Sequence, residues 1–276
     1  MTYSQLSNAI KSKGSFLCVG LDTDPGLIPS LLQKDTNPIF SFNMEIVDAT
    51  APYCIAYKLN TAFYEAEGTR GMEQMLMTVK YIRKKYPSML IIADAKRGDI
   101  GNTAIHYAKA FFETYGFDAV TLSPYMGRDS IFPFLGYEDK WSIVLALTSN
   151  NSAEDFEMEQ IDGKEDVPAE PLYSNVIRKV MNWGTKDNTM FVVGATRPEK
   201  IAEIRKYCPD HFLLVPGIGA QGGSLSNVAK AGMNKNCGLI ANSSRSIIYA
   251  SHGEDFASAA ATSASRVAAE MATILA

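Results

Sequence analysis

Residues 89–104 read MLIIADAKRGDIGNTA. Five apolar residues run without a break, and then acid, base, base and acid fall within six positions, from Asp94 through Lys96 and Arg97 to Asp99. An uninterrupted apolar run of this length is the mark of a strand buried on both faces, as in a parallel sheet. Outward from it, in both directions, the same pattern recurs in FLCVGLD (16–22), CIAYKLN (54–60), DAVTLS (118–123), SIVLALT (142–148), MFVVGAT (190–196), HFLLVPG (211–217) and CGLIANS (237–243). Helical patterns lie between the runs. In GMEQMLMTVKYIRKKY (71–86) apolar residues return every third or fourth position and cations gather in the last turn, where the helix dipole favours them.

Eight strand–helix units predict a closed (β/α)8 TIM barrel, of class α/β. A doubly wound open sheet is the rival, and eight units suit it less well. No Pro/Gly/Ser linker divides the chain, so one barrel domain over residues 1–276 is expected. The compositional break is the acidic stretch 149–171, SNNSAEDFEMEQIDGKEDVPAEP, after the fifth run. It reads as an insertion that is either a solvated loop or a moving lid.

Composition narrows the function classes. Lys plus Arg number 26 against 30 Asp plus Glu, for a net charge of -4 and a pI near 5.5. That balance offers no general attraction to nucleic acid or to an anionic membrane surface, so neither is expected as a partner. The N-terminus lacks the pattern of a secretory signal and no apolar run approaches membrane-spanning length, which predicts a cytoplasmic protein. The four cysteines are widely spaced and sit partly within apolar runs, as reduced buried thiols do. The three histidines show no paired-ligand spacing, so no metal site is expected.

Alternation along a strand puts Ile92, Asp94 and Lys96 on one face, and if that face lines the barrel both charges stand at its C-terminal mouth, where such enzymes keep their active sites. An Asp-x-Lys at a strand end can equally be a plain ion pair. Two further features weigh against that. The run CIAYKLN also ends in a charge, Lys58, and FLCVGLD brings Asp22 to the same layer. Asp24 and Pro25 read as turn and helix-start residues, and Asp22 alone would pass for a helix cap. Asp22, Lys58, Asp94, Lys96 and Asp99 together make a balanced charged rim able to stabilise or repel a substrate charge without reorganising.

The stretch VPGIGAQGG (215–223) contains a GxGxxG at Gly217, Gly219 and Gly222. A dinucleotide fold would need an acid about twenty residues on. None occurs from His211 through Gly253. What the region does offer is glycine-freed backbone amides, among them that of Gly219, the side-chain amide of Gln221, and Arg245 after the last run. Those are the seventh and eighth strand ends, where barrel enzymes commonly seat a phosphate monoester. A flexible turn beside a surface arginine is the plainer account. The residues alone therefore describe a barrel enzyme acting on a phosphorylated compound, with lysines and carboxylates on the opposite rim.

DAKRGDIGNTA (94–104) resembles the signature of the orotidine 5'-phosphate decarboxylase family, in the longer branch where Arg97 and Gly98 fill the middle of DxKxxD. The resemblance extends in order through LDTD, YKLN, TSNNSAE, VVGATRPEK, VPGIGAQGG and SSRSI. Two departures stand out: Ser244 precedes the arginine where the family often has glycine, and SNNSA stands where it often has S-x-P-G. The resemblance implies a cofactor-independent decarboxylation of orotidine 5'-monophosphate to uridine 5'-monophosphate on a TIM barrel. Carried over, Asp22 and Lys58 hold the ribose, with Lys58 tying the charges together. Asp94 lies against the substrate carboxylate and Lys96 protonates the ring carbon. Ser149 contacts the pyrimidine, and Gln221 and Arg245 grip the phosphate. Asp99 and Thr103 reach into a partner subunit's site, which implies a homodimer. The runner-up is a magnesium-dependent sugar-phosphate decarboxylase or aldolase with the same Asp-x-Lys-x-x-Asp spacing, against which stands Lys58 where a metal site wants an acid. A non-catalytic phosphate sensor would have no use for the charged rim.

Overall fold

The computed structural model describes residues 1–163, 169–218 and 223–276 of the 276-residue chain. Each apolar run forms one strand: β1 Leu17–Gly20, β2 Ala56–Asn60, β3 Leu90–Arg97, β4 Ala119–Leu122, β5 Trp141–Leu147, β6 Thr189–Val193, β7 Phe212–Pro216 and β8 Leu239–Ser243. Neighbours in sequence pair in parallel, and β8 pairs back onto β1 to close the barrel. The architecture is a (β/α)8 TIM barrel. Strands β1, β4, β6 and β8 are buried along their whole length, which is why they show no polar alternation.

Helices coat the outside. Gly68–Lys85 turns Met75, Val79 and Ile82 inward and ends in Arg83, Lys84 and Lys85. An additional helix, Tyr3–Lys13, opens with a Thr2/Gln5 capping box and closes the floor. Its tip is fixed by the Trp141 indole, which donates to the Met1 carbonyl at 2.8 Å, and its end by Lys13, whose ammonium donates to the carbonyls of Ala51 and Cys54 at 2.6 Å each. The long C-terminal helix Phe256–Leu275 packs beside Pro38–Thr50. All four cysteines are buried and unpaired.

The acidic stretch after β5 is locally folded where it is described. A short 3-10 turn, Asn151–Asp155, leads to a two-residue antiparallel pairing of Gln160–Ile161 with Glu170–Pro171. Glu157 turns back onto the end of β5, where its carboxylate accepts from the Thr148 backbone N–H at 2.7 Å and from the Thr148 hydroxyl. Glu154 pairs with Arg197 at 3.2 Å, and Glu170 is met by Arg178 and Asn175. No described helix is long and apolar enough to cross a membrane.

Candidate active site

The pairing register carries Gly20, Lys58 and Ile92 at one level of the barrel, with Asn60 opposite Asp94 one step higher. Lys58 is buried, and its ammonium lies 3.3 Å from Asp22 Oδ1 and 3.0 Å from Asp94 Oδ2. Burial works against its charge, but the two carboxylates outweigh burial and raise its pKa. The other oxygen of Asp94 meets the Lys96 ammonium at 2.6 Å. Burial alone would push the Asp94 carboxyl up. Lys58 and Lys96 prevail and hold it down to about 2, so it is ionised throughout the physiological range. Four charges thus alternate in one chain of contacts, Asp22, Lys58, Asp94, Lys96.

Simple alternation does not carry Lys96 to this position. Ala93 pairs with Val120 and Arg97 with Leu122, so three residues of β3 face the single residue Thr121 of β4. This bulge turns Lys96 into the left-handed region, with φ at 49°. Thr121 fills the gap: its hydroxyl accepts the Lys96 backbone N–H at 2.9 Å and donates to Asp94 Oδ1 at 3.0 Å. The second base of the motif points elsewhere. Arg97 donates to the Ala95 carbonyl at 2.7 Å, pairs with Glu65, and lies over the rings of Tyr107 and Phe111. It anchors the outer side of the bulge, which answers why the motif spends two bases in succession.

A cavity of about 450 Å³ opens beside the array, lined by Asp22, Lys58, Asp94, Gly217, Asn242 and Arg245. Lys96 is not among its lining residues; it is half-exposed and connects to the cavity through its ion pair with Asp94. The carboxylates of β1 and β3 and the arginine after β8 therefore border one space. The β1 loop is fixed from several sides: Asp24 caps the turn Pro25–Leu27, Tyr64 donates to the Leu21 carbonyl, and the Tyr249 hydroxyl accepts the Asp24 N–H at 2.7 Å. Ser149 lies at the end of β5, tight against β6; a Cβ on Gly194 would come within 2.8 Å of its Cα.

Asp99 and Thr103 do not join the array of their own chain. Both are exposed, and among the described residues the Asp99 carboxylate accepts only the adjacent Ile100 N–H, at 2.8 Å. Gly219 and Gln221 lie outside the described residues. Sequence reasoning missed Thr121 and Tyr249. Thr121 had a faint signal, as the one polar residue within the otherwise apolar AVTL strand; Tyr249 had none.

A parallel barrel that gathers two carboxylates, a buried lysine and an arginine around one space at its C-terminal mouth, with a second lysine paired to one of those carboxylates, is an enzyme of the class that works on charged small molecules there. The model of the family described as "Orotidine 5'-phosphate decarboxylase / HUMPS family" matches residues 15–260. A curated orotidine 5'-phosphate decarboxylase of Phocaeicola vulgatus is 55% identical over 275 residues, covering 100% of this chain and 99% of the relative. Its counterpart in Flavobacterium johnsoniae is 54% identical, covering 100% of this chain and 98% of the relative. The solved OMP decarboxylase of Leishmania donovani superposes with a TM-score of 0.82 at 31% identity, over 99% of this chain and 98% of that one. The chain belongs to the orotidine 5'-phosphate decarboxylase / HUMPS family.

Proposed function

We infer that the chain decarboxylates orotidine 5'-monophosphate to uridine 5'-monophosphate, without a cofactor, as the last step of making UMP. The alternating array Asp22–Lys58–Asp94–Lys96 beside Arg245 is the observation that carries this reading. Cleavage of the carbon–carbon bond releases carbon dioxide and leaves the bonding electron pair on the ring carbon. The Lys96 ammonium supplies a cation at that point and then gives its proton to the carbon, ending as a neutral amine that solvent reprotonates. Asp94, ionised between two ammoniums, sits against the substrate carboxylate and keeps both cations in place. Lys58 and Asp22 hold the ribose.

Arg245, with Gln221 and the backbone at Gly219, grips the phosphate in this reading, and that remote binding energy serves to hold the reacting carbon against Lys96. Ser149 contacts the pyrimidine. The chain works as a cytoplasmic homodimer in which Asp99 and Thr103 complete the partner's site. Their exposure supports this, as does the open apolar surface of Ile100 and Ile105 around them, 42% and 52% exposed. The magnesium-dependent alternative is disfavoured by Lys58, which already occupies the space between Asp22 and Asp94 with a positive charge.

The direct test follows the ultraviolet change on adding orotidine 5'-monophosphate to chelator-treated protein. Turnover that survives the chelator is expected; turnover lost and restored by magnesium would transfer the chain to the alternative. The subunit arrangement has its own test. Inactive Lys96→Ala and inactive Asp99→Ala chains, unfolded and refolded together, should recover activity, because a mixed dimer holds one intact site. No recovery from verified mixed dimers would remove Asp99 from the partner's site.

A further inference from the structure

We propose that Thr121 is a positioning residue for the reaction: its hydroxyl fixes the Asp94 carboxylate and locks the backbone bulge that aims Lys96. The inference rests on the decarboxylase reading above. A lysine at φ 49° is in the left-handed region that residues with a Cβ rarely adopt, and such a conformation persists only where its surroundings over-determine it. The bulge also removes the ladder partner of the Lys96 N–H, since residues 94–96 face only Thr121. The hydroxyl repairs this. It accepts that N–H at 2.9 Å and donates its own hydrogen bond to Asp94 Oδ1 at 3.0 Å, the same oxygen that holds the Lys96 ammonium at 2.6 Å.

One buried side chain therefore touches Lys96 at its backbone and Asp94 at its carboxylate, and through Asp94 the ammonium. A hydroxyl can accept and donate at once, so serine can take over both bonds. Valine matches threonine in shape and can make neither. Without the hydroxyl, the bulge loses its latch and Asp94 Oδ1 loses the bond that sets its rotation. The ammonium then shifts relative to the reacting carbon, and a displacement of about 1 Å is enough to cost on the order of 10²-fold in rate.

The experiment compares wild type, Thr121→Val and Thr121→Ser for decarboxylation and for calorimetric binding of uridine 5'-monophosphate. In the valine variant kcat is expected to fall about 10²-fold while KM and product affinity stay within about 3-fold. Serine should return kcat to within about 5-fold of wild type. Should valine prevent folding, Thr121→Ala is measured on the same scale. Near-normal kcat without the hydroxyl, or equal losses in valine and serine, would overturn the proposal. A wild type that fails to decarboxylate the substrate would instead overturn the reading on which it rests.

Discussion

At the floor of the barrel the buried Asp118 carboxylate receives Arg83 at 2.5 Å and the Ile91 N–H at 2.9 Å, with Lys140 at 3.8 Å. At the mouth Asp94 receives Lys58, Lys96 and Thr121 at closely similar distances. Both are carboxylates on or beside the β3–β4 pair, both are surrounded by cations, and a hollow lies near each. The hollow at the floor is the larger, about 610 Å³ against about 450 Å³. Volume does not separate the two ends. The disposition of charge does. Lys13 and Arg83 face the floor hollow already committed to the Ala51 and Cys54 carbonyls and to Asp118. At the mouth, Lys96 is half-exposed with one carboxylate partner, and Arg245 is exposed on the cavity it lines. One network closes a structure; the other leaves charge available to a ligand.

Lys96→Ala gives the largest effect on that contrast. It removes the ammonium but leaves Asp94 paired with Lys58, so folding should be nearly unchanged while turnover falls by at least about 10³-fold. The absorbance change of the substrate, read beside a thermal melt, checks both halves. Near-normal turnover would strip Lys96 of its role. Arg245→Ala comes next. Affinity for the phosphorylated substrate should drop by about 10²-fold, with binding of the free nucleoside little affected. Equal losses for the two ligands would remove the phosphate role.

What the sequence disclosed follows the same division. Strands buried on both faces announce themselves as apolar runs, so all eight strands were legible, and so were the charges Asp22, Lys58, Asp94 and Lys96 at their ends. The way those charges meet was not. Pleat alternation places Lys96 above Asp94 on one face, whereas the contact depends on a bulge, and a bulge is a property of register between β3 and β4. Arg97 looks like a second site cation in the linear motif. Its outward path becomes visible only with Glu65, Tyr107 and Phe111 in place. Tyr249 holds the β1 loop from 225 residues away, a distance over which no local pattern reaches.

Arg83→Ala tests the floor. Asp118 would keep the Ile91 N–H and a distant lysine but lose its close cation, and the barrel should be destabilised by about 2 kcal/mol. A shift in the denaturation midpoint measures this. kcat and KM should stay at wild-type values; a fall in kcat to match the loss of stability would show that the two networks are coupled along β3 and β4.

The smallest effect lies at the same end and appears only in acid. His211, at the start of β7, is buried against Phe191, and both ring nitrogens lack a hydrogen-bond partner among the described residues. Burial, and after it the Arg205 guanidinium, pushes its pKa down to about 4 from an ordinary value near 6.5. The folded protein therefore holds the neutral ring, while the unfolded chain takes up a proton at the ordinary value. Stability from this residue is fully present above pH 6.5 and is lost as the pH falls from there toward 4. His211→Phe keeps an aromatic ring against Phe191 and has no proton to take up. It should leave the neutral-pH melt almost unchanged and shift the acid unfolding midpoint downward by a fraction of a pH unit. An acid midpoint that does not move would mean that the uncharged ring is merely packed there and contributes nothing to the acid dependence of stability.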